Sequence, residues 1–338
     1  MLTRWGVGLT HWEFMMRIPP LLGACALLIG GSASAVTMDW TVVGNAGNAA
    51  DVANGKGAVA YDYRIGTYEV TNAQYSEFLN AKAQSDPLAL YSSNMAISAQ
   101  GGITRQGSSG SFSYSPIAGR ESMPVNFVTF FDALRFVNWM NNGQGAGDTE
   151  TGAYTLLGGT ATPSNPTTVT RNAGAAIVLA SGDEWYKAAY HDAVGLAATD
   201  YFTYPAGSNT ATTCTSPTAS ANSGNCNNVV ADVTAVGSYT DSASPYGTFD
   251  QGGNVREWVE DVSANGPAFR PLRGGSFSAA GMQLSALNPA GGGGVSPIPI
   301  DGNNTGFRVA MAPEPNTGSG LAAIAGMLGL LCWRRPHT

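Results

Sequence analysis

Apolar and polar positions change their period along this chain, and each change marks an element. In "YRIGTYEVTNAQYSEFLNA" the run 63–70 alternates as a half-buried strand does. The period then lengthens. Thr71 followed by Gln74 makes a capping box, in which hydroxyl and amide satisfy each other's backbone N–H groups, and predicts a helix through Leu79. In "PVNFVTFFDALRFVNWMNN" Thr129 is the expected N-cap, with Phe131, Leu134, Val137 and Trp139 as a buried stripe. In "IVLASGDEWYKAAYHD" a short apolar strand, 177–179, runs into Ser181, and Glu184 closes another capping box. Trp185, Ala188 and Ala189 are expected to face the core.

Between these elements the pattern is hairpin and coil. "GITRQGSSGSFSYSPI" reads as two short strands around a Gly-Ser turn, while 143–147 and 161–170 are polar connectors. A strand ending at Arg273 leads into Gly274 and Gly275, whose freedom at positive φ suits a sharp turn. Phe277 is expected to pack inward there, leaving Ser276 and Ser278 toward a shallow polar groove. No βαβ rhythm and no fixed short repeat is present. The pattern predicts a mixed α+β fold with low regular secondary structure.

Composition narrows the function classes. Charged residues make up 12% of the 338, well below the ~25% of ordinary soluble domains. Gly 44 and Pro 18 make the chain loop-rich, yet 43% hydrophobic content still permits a core. A net charge of −7 without any basic cluster excludes a nucleic-acid partner.

Both ends read as targeting segments. Arg4 and Arg17, the apolar run 21–29 and Ala33-Ser34-Ala35 form a signal peptide over 1–35. At the other end Pro313-Glu314-Pro315 precedes a spacer, the apolar run 321–333 and Arg334-Arg335. That run is shorter than the ~20 residues a membrane-crossing helix needs. The tail, 313–338, resembles the PEP-CTERM sorting signal of Gram-negative bacteria. The resemblance implies an exosortase partner that removes the tail on export to the cell surface, outer envelope or extracellular matrix.

Of the four cysteines, Cys25 falls in the leader and Cys332 in the tail. Cys214 and Cys226 remain, bracketing a polar loop. In an exported chain this favours a disulfide, closing a loop with on the order of 3 kcal/mol of stabilisation. A redox or metal pair is the alternative, without the CxxC spacing that would support it.

The segments "YEVTNAQYSEFL", "MPVNFVTFFDALRFVNWMN", "LASGDEWYKAAY", "YGTFDQGGNVREWVED", "RPLRGGSF" and "NNTGFRVA" together resemble the formylglycine-generating enzyme family, the sulfatase-modifying-factor domain. The resemblance covers roughly 42–311 of a domain placed at 36–312, and implies an irregular C-type-lectin-like α+β fold. In active members two cysteines follow the Gly-Gly-Ser turn and bind copper to oxidise a substrate cysteine. Here those positions fall at Ala279 and at about Leu284, after Gly274, Gly275 and Ser276. Alkyl side chains form no thiolate, so copper is not expected and the turn reads as vestigial.

A replacement catalytic set is hard to assemble, because His191 is the one histidine of the domain. The carboxylate pairs Asp183-Glu184 and Glu260-Asp261 remain, the first opening a helix where its charge suits the dipole. "DQGGNVRE" offers Asp250, the carbonyls of Gly253 and Val255, and Glu257. Such oxygens on a glycine turn suit Ca²⁺, and the resemblance implies calcium at the same positions. A second site would draw on Glu69 with Asn222 or Asn228. The expected function is an exported, non-catalytic, calcium-stabilised domain that binds exopolysaccharide or a surface protein. The alternative is a formylglycine-generating-type oxidase or another oxidoreductase of the family.

Overall fold

A computed structural model of the chain describes residues 35–313, apart from 198, 264, 289–291 and 299. The predicted leader up to residue 34 and the predicted sorting signal beyond residue 313, with Cys25 and Cys332, lie outside the described residues.

The elements are short, and in chain order they are β1 (Trp40–Val43), β2 (Tyr63–Gly66), α1 (Asn72–Lys82), α2 (Asn94–Ile97), β3 (Ile103–Gln106) and β4 (Ser113–Pro116). Next come α3 (Phe130–Asn141), β5 (Ile177–Leu179), α4 (Gly182–Tyr190), β6 (Thr213–Cys214) and β7 (Ser223–Gly224). The chain ends with β8 (Arg256–Trp258), β9 (Phe269–Arg273), a 3-10 turn (Gly281–Leu284), β10 (Gly292–Pro297), β11 (Thr305–Phe307) and β12 (Val309–Met311). One sheet runs β1-β2-β12-β5 and a second β10-β9-β8-β11. Because β11 lies in one sheet and β12 in the other, Arg308 stands at the crossing between them.

Both predicted capping boxes form, and the predicted N-cap Thr129 proves to open a third. Thr71, Thr129 and Ser181 each accept from the third residue on, and Gln74, Asp132 and Glu184 reach back to them. The hairpin β3–β4 and strand β5 also stand where the pattern put them. The alternating run 63–70 yields strand only over Tyr63–Gly66, because Thr67 turns away to accept from Phe249 and donate to Asp39.

Helix α3 departs from a one-faced stripe. Eleven consecutive residues of it, from Phe130 to Met140, are buried, polar residues included. The connector after it folds back over the outer face. Arg135 donates to Glu150 and to the carbonyls of Thr160 and Ala161, and Asn138 donates to Thr149 and Tyr154. On the inner side Tyr75, Phe78, Phe136, Trp139 and Phe307 interlock with ring centroids 5.3–6.4 Å apart. Each fully buried ring of this kind contributes roughly 1.5–3 kcal/mol.

Candidate functional site

Strand β9 delivers the Gly-Gly-Ser turn as expected. Gly274 and Gly275 take φ of +87° and +71°, where a Cβ is strained. A Cβ on Gly274 would also stand 2.9 Å from the Gln251 carbonyl and 3.1 Å from the Trp185 ring. That close approach lets the Gly253 N–H reach the Gly274 carbonyl at 2.9 Å, and the Phe277 N–H reach Asn254 at 2.8 Å. The turn is thus sewn to the 250–255 loop. Phe277 packs inward against Val233 and Val255, as predicted.

Ser276 corrects one expectation. Ser278 is exposed, but Ser276 is buried and faces no groove. Its hydroxyl shares a hydrogen bond with Ser278 at 3.1 Å and receives one from Asn304 at 3.4 Å. The loop preceding β11 covers it.

Beyond the turn, the positions at which the resemblance puts copper ligands are apolar and packed. Leu284 has no exposed surface and clusters with Tyr204 and Cys226, with Cys214 and Ala279 against them. Cys214 and Cys226 form the predicted disulfide, with Cα atoms 4.9 Å apart. The bridge lies against the very loop that carries Ala279 and Leu284, and Asn227 donates to the Ala279 carbonyl at 2.7 Å. Tyr190 closes the far side with a bond to the Leu284 carbonyl at 3.0 Å.

Of the predicted calcium residues, Glu257 lies in a buried ionic cluster whose centre is Arg308, and Asp250 feels that charge without pairing with it. The Arg308 guanidinium holds Glu257 through Nε to Oε2 at 2.6 Å and Nη2 to Oε1 at 2.7 Å. Trp185 donates a third bond to Glu257 Oε2, at 2.7 Å. Glu69 joins this cluster: its Oε2 is 3.9 Å from Arg308, and its Oε1 accepts from Asn254 at 3.4 Å. Asp250 takes a left-handed φ of +60° and accepts from the Gly237 N–H at 2.6 Å. Asp250 also lines a cavity of about 20 Å³ with Thr212, Ser244, Thr248 and Gln251.

Charge in this cluster does not balance, because three carboxylates surround one guanidinium. Burial, and then the Asp250 charge, push the Glu69 carboxyl well above the usual carboxylate range, against the pull of Arg308. Burial also pushes Asp250 up, with the Gly237 N–H and Arg308 opposing. Burial works against the Arg308 charge too, yet the three carboxylates outweigh it and hold the guanidinium protonated. Glu69 Oε2 is buried without a hydrogen-bond partner. Carboxyls driven toward protonation and an orphaned oxygen fit a hard cation, which would take the place of the proton. Glu257 is less free than its sequence position implied, since Arg308 and Trp185 already occupy three of its acceptor sites. No group of three or more His, Cys, Asp or Glu arranged to hold a metal occurs among the described residues.

The second predicted grouping is not brought together. Glu69 belongs to the Arg308 cluster, whereas the Asn222 amide donates to Thr210 and Ala211. The Asn228 N–H donates to Phe277. Both asparagines sit in the left-handed region, shaping the loop around the disulfide.

The two carboxylate pairs are structural anchors. Asp183 accepts from the Gly57 N–H and Asp261 from the Gly182 N–H. Arg171 spans Glu184 and Glu260, each 2.9 Å away. Burial presses the Glu184 carboxyl up, but Arg171 and the Ser181 and Tyr61 bonds carry it below its ordinary value. Burial keeps Glu260 raised. His191 pairs with Tyr246 at 3.0 Å, and burial lowers its pKa. Arg308 is the residue the motif reading overlooked. Its signal was its place in "NNTGFRVA", a charged residue inside an otherwise apolar strand pair.

Residues 28–313 match the family described as the sulfatase-modifying factor enzyme 1-like domain. No curated protein matches the chain. Among solved structures, Treponema denticola variable protein 1 aligns with a TM-score of 0.53 at 17% identity, over 83% of this chain and 98% of its own. CarF aligns with a TM-score of 0.52 at 19% identity, over 82% and 99%. PvdO from Pseudomonas aeruginosa reaches 0.42 at 16% identity, over 82% and 92%. The α+β fold with low regular secondary structure is therefore the fold of this family, as the sequence predicted.

Proposed function

The chain belongs to the sulfatase-modifying factor enzyme 1-like domain family, and within it we propose a non-catalytic, exported binding module of the cell surface or matrix. The observation that carries this reading is the apolar cluster of Leu284, Tyr204 and Cys226, with Cys214 and Ala279 packed against it. Copper-dependent thiol oxidation needs soft ligands, and this cluster offers two alkyl groups and a disulfide in their place. The exported setting is supported by that disulfide. It is also supported by Val36, the first residue after the predicted cleavage point. Val36 is buried, and its N–H and carbonyl bond Gln144 at 2.6 and 2.8 Å.

Calcium, on this reading, is held by Asp250, the carbonyls of Gly253 and Val255, and the remaining acceptor capacity of Glu257. The raised carboxyls of Glu69 and Asp250 and the orphaned Glu69 oxygen support it. The bound partner is an exopolysaccharide or a surface protein, and an exosortase removes the tail.

Two measurements test the proposal. A cysteine peptide incubated with the purified domain, with and without copper, is expected to yield no formylglycine. Formylglycine above the level of a denatured control would establish the oxidase instead. Mass spectrometry of the surface-exposed protein is expected to find a chain beginning near Val36 and lacking the tail. An intact 321–338 segment would remove the sorting claim.

A further inference from the structure

A cavity of about 270 Å³ lies at the N-terminal end of α3, away from the Gly-Gly-Ser turn. Its walls include Tyr91, Ser92, Thr129, Phe131, Asp132 and Asp301. Each wall is pinned from behind. Asp86 accepts from the Leu90 and Tyr91 N–H groups at 2.7 and 3.3 Å, holding the segment around Tyr91. Arg135 donates to the Ala161 carbonyl at 2.9 Å and fixes the rim there. The Phe127 N–H donates to the Gly302 carbonyl at 2.9 Å and holds the loop that carries Asp301. The cavity is therefore preformed, and its size lies just below the ~300 Å³ at which pockets for drug-sized ligands begin.

Its chemistry is one-sided. Two carboxylates line it, and no Lys, Arg or His does. Two cations stand behind its walls and are paired there: Arg135, whose charge also reaches Asp132, with Glu150, and Arg105 with Asp86 and the rings of Tyr91 and Phe112. Asp132 is 5% exposed. Its Oδ2 accepts from the Thr129 N–H and hydroxyl at 2.8 and 2.7 Å, while its Oδ1 has no hydrogen bond among the described residues. Asp132 lines the cavity with the little surface it keeps exposed. A buried carboxylate with one free oxygen gains most from a cationic donor.

We propose that this cavity binds a compact ligand through a protonated primary amine, held between Asp132 and Asp301, with Tyr91 and Phe131 against its carbon skeleton. Amino sugars and small aliphatic amines share that chemistry. The hydroxyls of Ser92, Thr129 and Thr162 favour the amino sugar. This assignment is independent of the proposed loss of catalysis and of calcium.

Isothermal titration of the full domain at neutral pH with glucosamine, cadaverine, N-acetylglucosamine and glucose tests it. At least one amine is expected to bind and both neutral sugars to fail. Tighter binding of glucosamine identifies an amino sugar as the source, and tighter binding of cadaverine an aliphatic amine. Asp301→Asn, which leaves every capping bond in place, is expected to weaken the amine by about ten- to hundredfold. Asp132→Asn should do the same, with circular dichroism confirming its fold. Glucose binding as tightly as glucosamine would overturn the proposal. So would no amine binding up to about 10 mM, or amine binding unchanged by Asp301→Asn.

Discussion

Arg308 holds Glu257 in a two-pronged ion pair from which solvent is excluded on both sides, with side-chain exposure of 0% for each. The same guanidinium donates to the carbonyls of Gly66, Thr67 and Phe249. One side chain thereby joins the end of β2, the loop before the 250 turn, and strand β8. Because β2 and β8 belong to different sheets, this pair is the polar joint between the two halves of the fold.

Breaking that joint from either side is costly. Glu257→Gln keeps the shape but leaves Arg308 without its closest counter-charge, and Arg308→Met leaves three carboxylates uncompensated. Each is expected to destabilise the domain by about 3–5 kcal/mol. Thermal unfolding should show that loss for Glu257→Gln in chelator, and a further loss when calcium is present. A loss confined to calcium-containing buffer would make Glu257 a metal ligand first and an anchor second.

Asp250 is the residue that reports on calcium. It is half-buried, has one bond from Gly237 and is not paired with Arg308. Calcium at a hundredfold excess over its dissociation constant should stabilise the domain by about 2.7 kcal/mol. Asp250→Asn is expected to abolish that increment in differential scanning fluorimetry. An unchanged increment would place calcium elsewhere.

Asp132 links stability to pH. Burial raises its pKa from 3.8 to about 7, against the Thr129 bonds and Arg135, with Asp86 adding to the rise. The folded state therefore keeps a proton that the unfolded chain releases near 3.8. Its contribution is complete below that value and is lost as pH climbs toward about 7, with no further change above. Asp132→Asn cannot ionise, so its stability relative to the unsubstituted protein should rise across that window. The rise is bounded by about 4 kcal/mol. Chemical denaturation at several pH values measures it, and a flat difference would mean an ordinary carboxyl.

Around the disulfide, two substitutions should act through different physics. Replacing Cys214 and Cys226 by serine removes a loop constraint over a separation of 12 residues, worth about 3 kcal/mol through the unfolded chain. Leu284→Ala leaves a cavity in the folded state and should cost about 2–5 kcal/mol. Urea unfolding curves give both values, and a Leu284→Ala variant as stable as the parent would mean that the cluster is loosely packed.

Short-range features were legible because their physics is short-range. Capping boxes at Thr71 and Ser181 involve residues three apart, so the sequence displays both partners at once, and at Thr129 it displayed the cap. Gly274 and Gly275 announce a positive-φ turn through what they lack. Two cysteines in a domain with no others leave one pairing to form. Trp139 and Arg135 show the limit: periodicity assigned α3 one buried face, and could not see the connector 143–170 closing over the other.

The sequence by itself determined the family, the irregular α+β fold, the bridge between Cys214 and Cys226, and the alkyl groups at the turn. Tertiary structure alone decided which charges meet. Arg308 and Glu257 lie 51 positions apart, and Glu69 reaches Asn254 across 185. Their pairing depends on β11 running parallel to β8 and on β2 lying beside β12. It decided likewise that Asp132 and Asp301, a helix cap and a distant loop, share one cavity. Local patterns encode backbone hydrogen bonding and the side of an element that faces the core. The partner of a buried charge is set by where the chain returns, and that is a property of the whole fold.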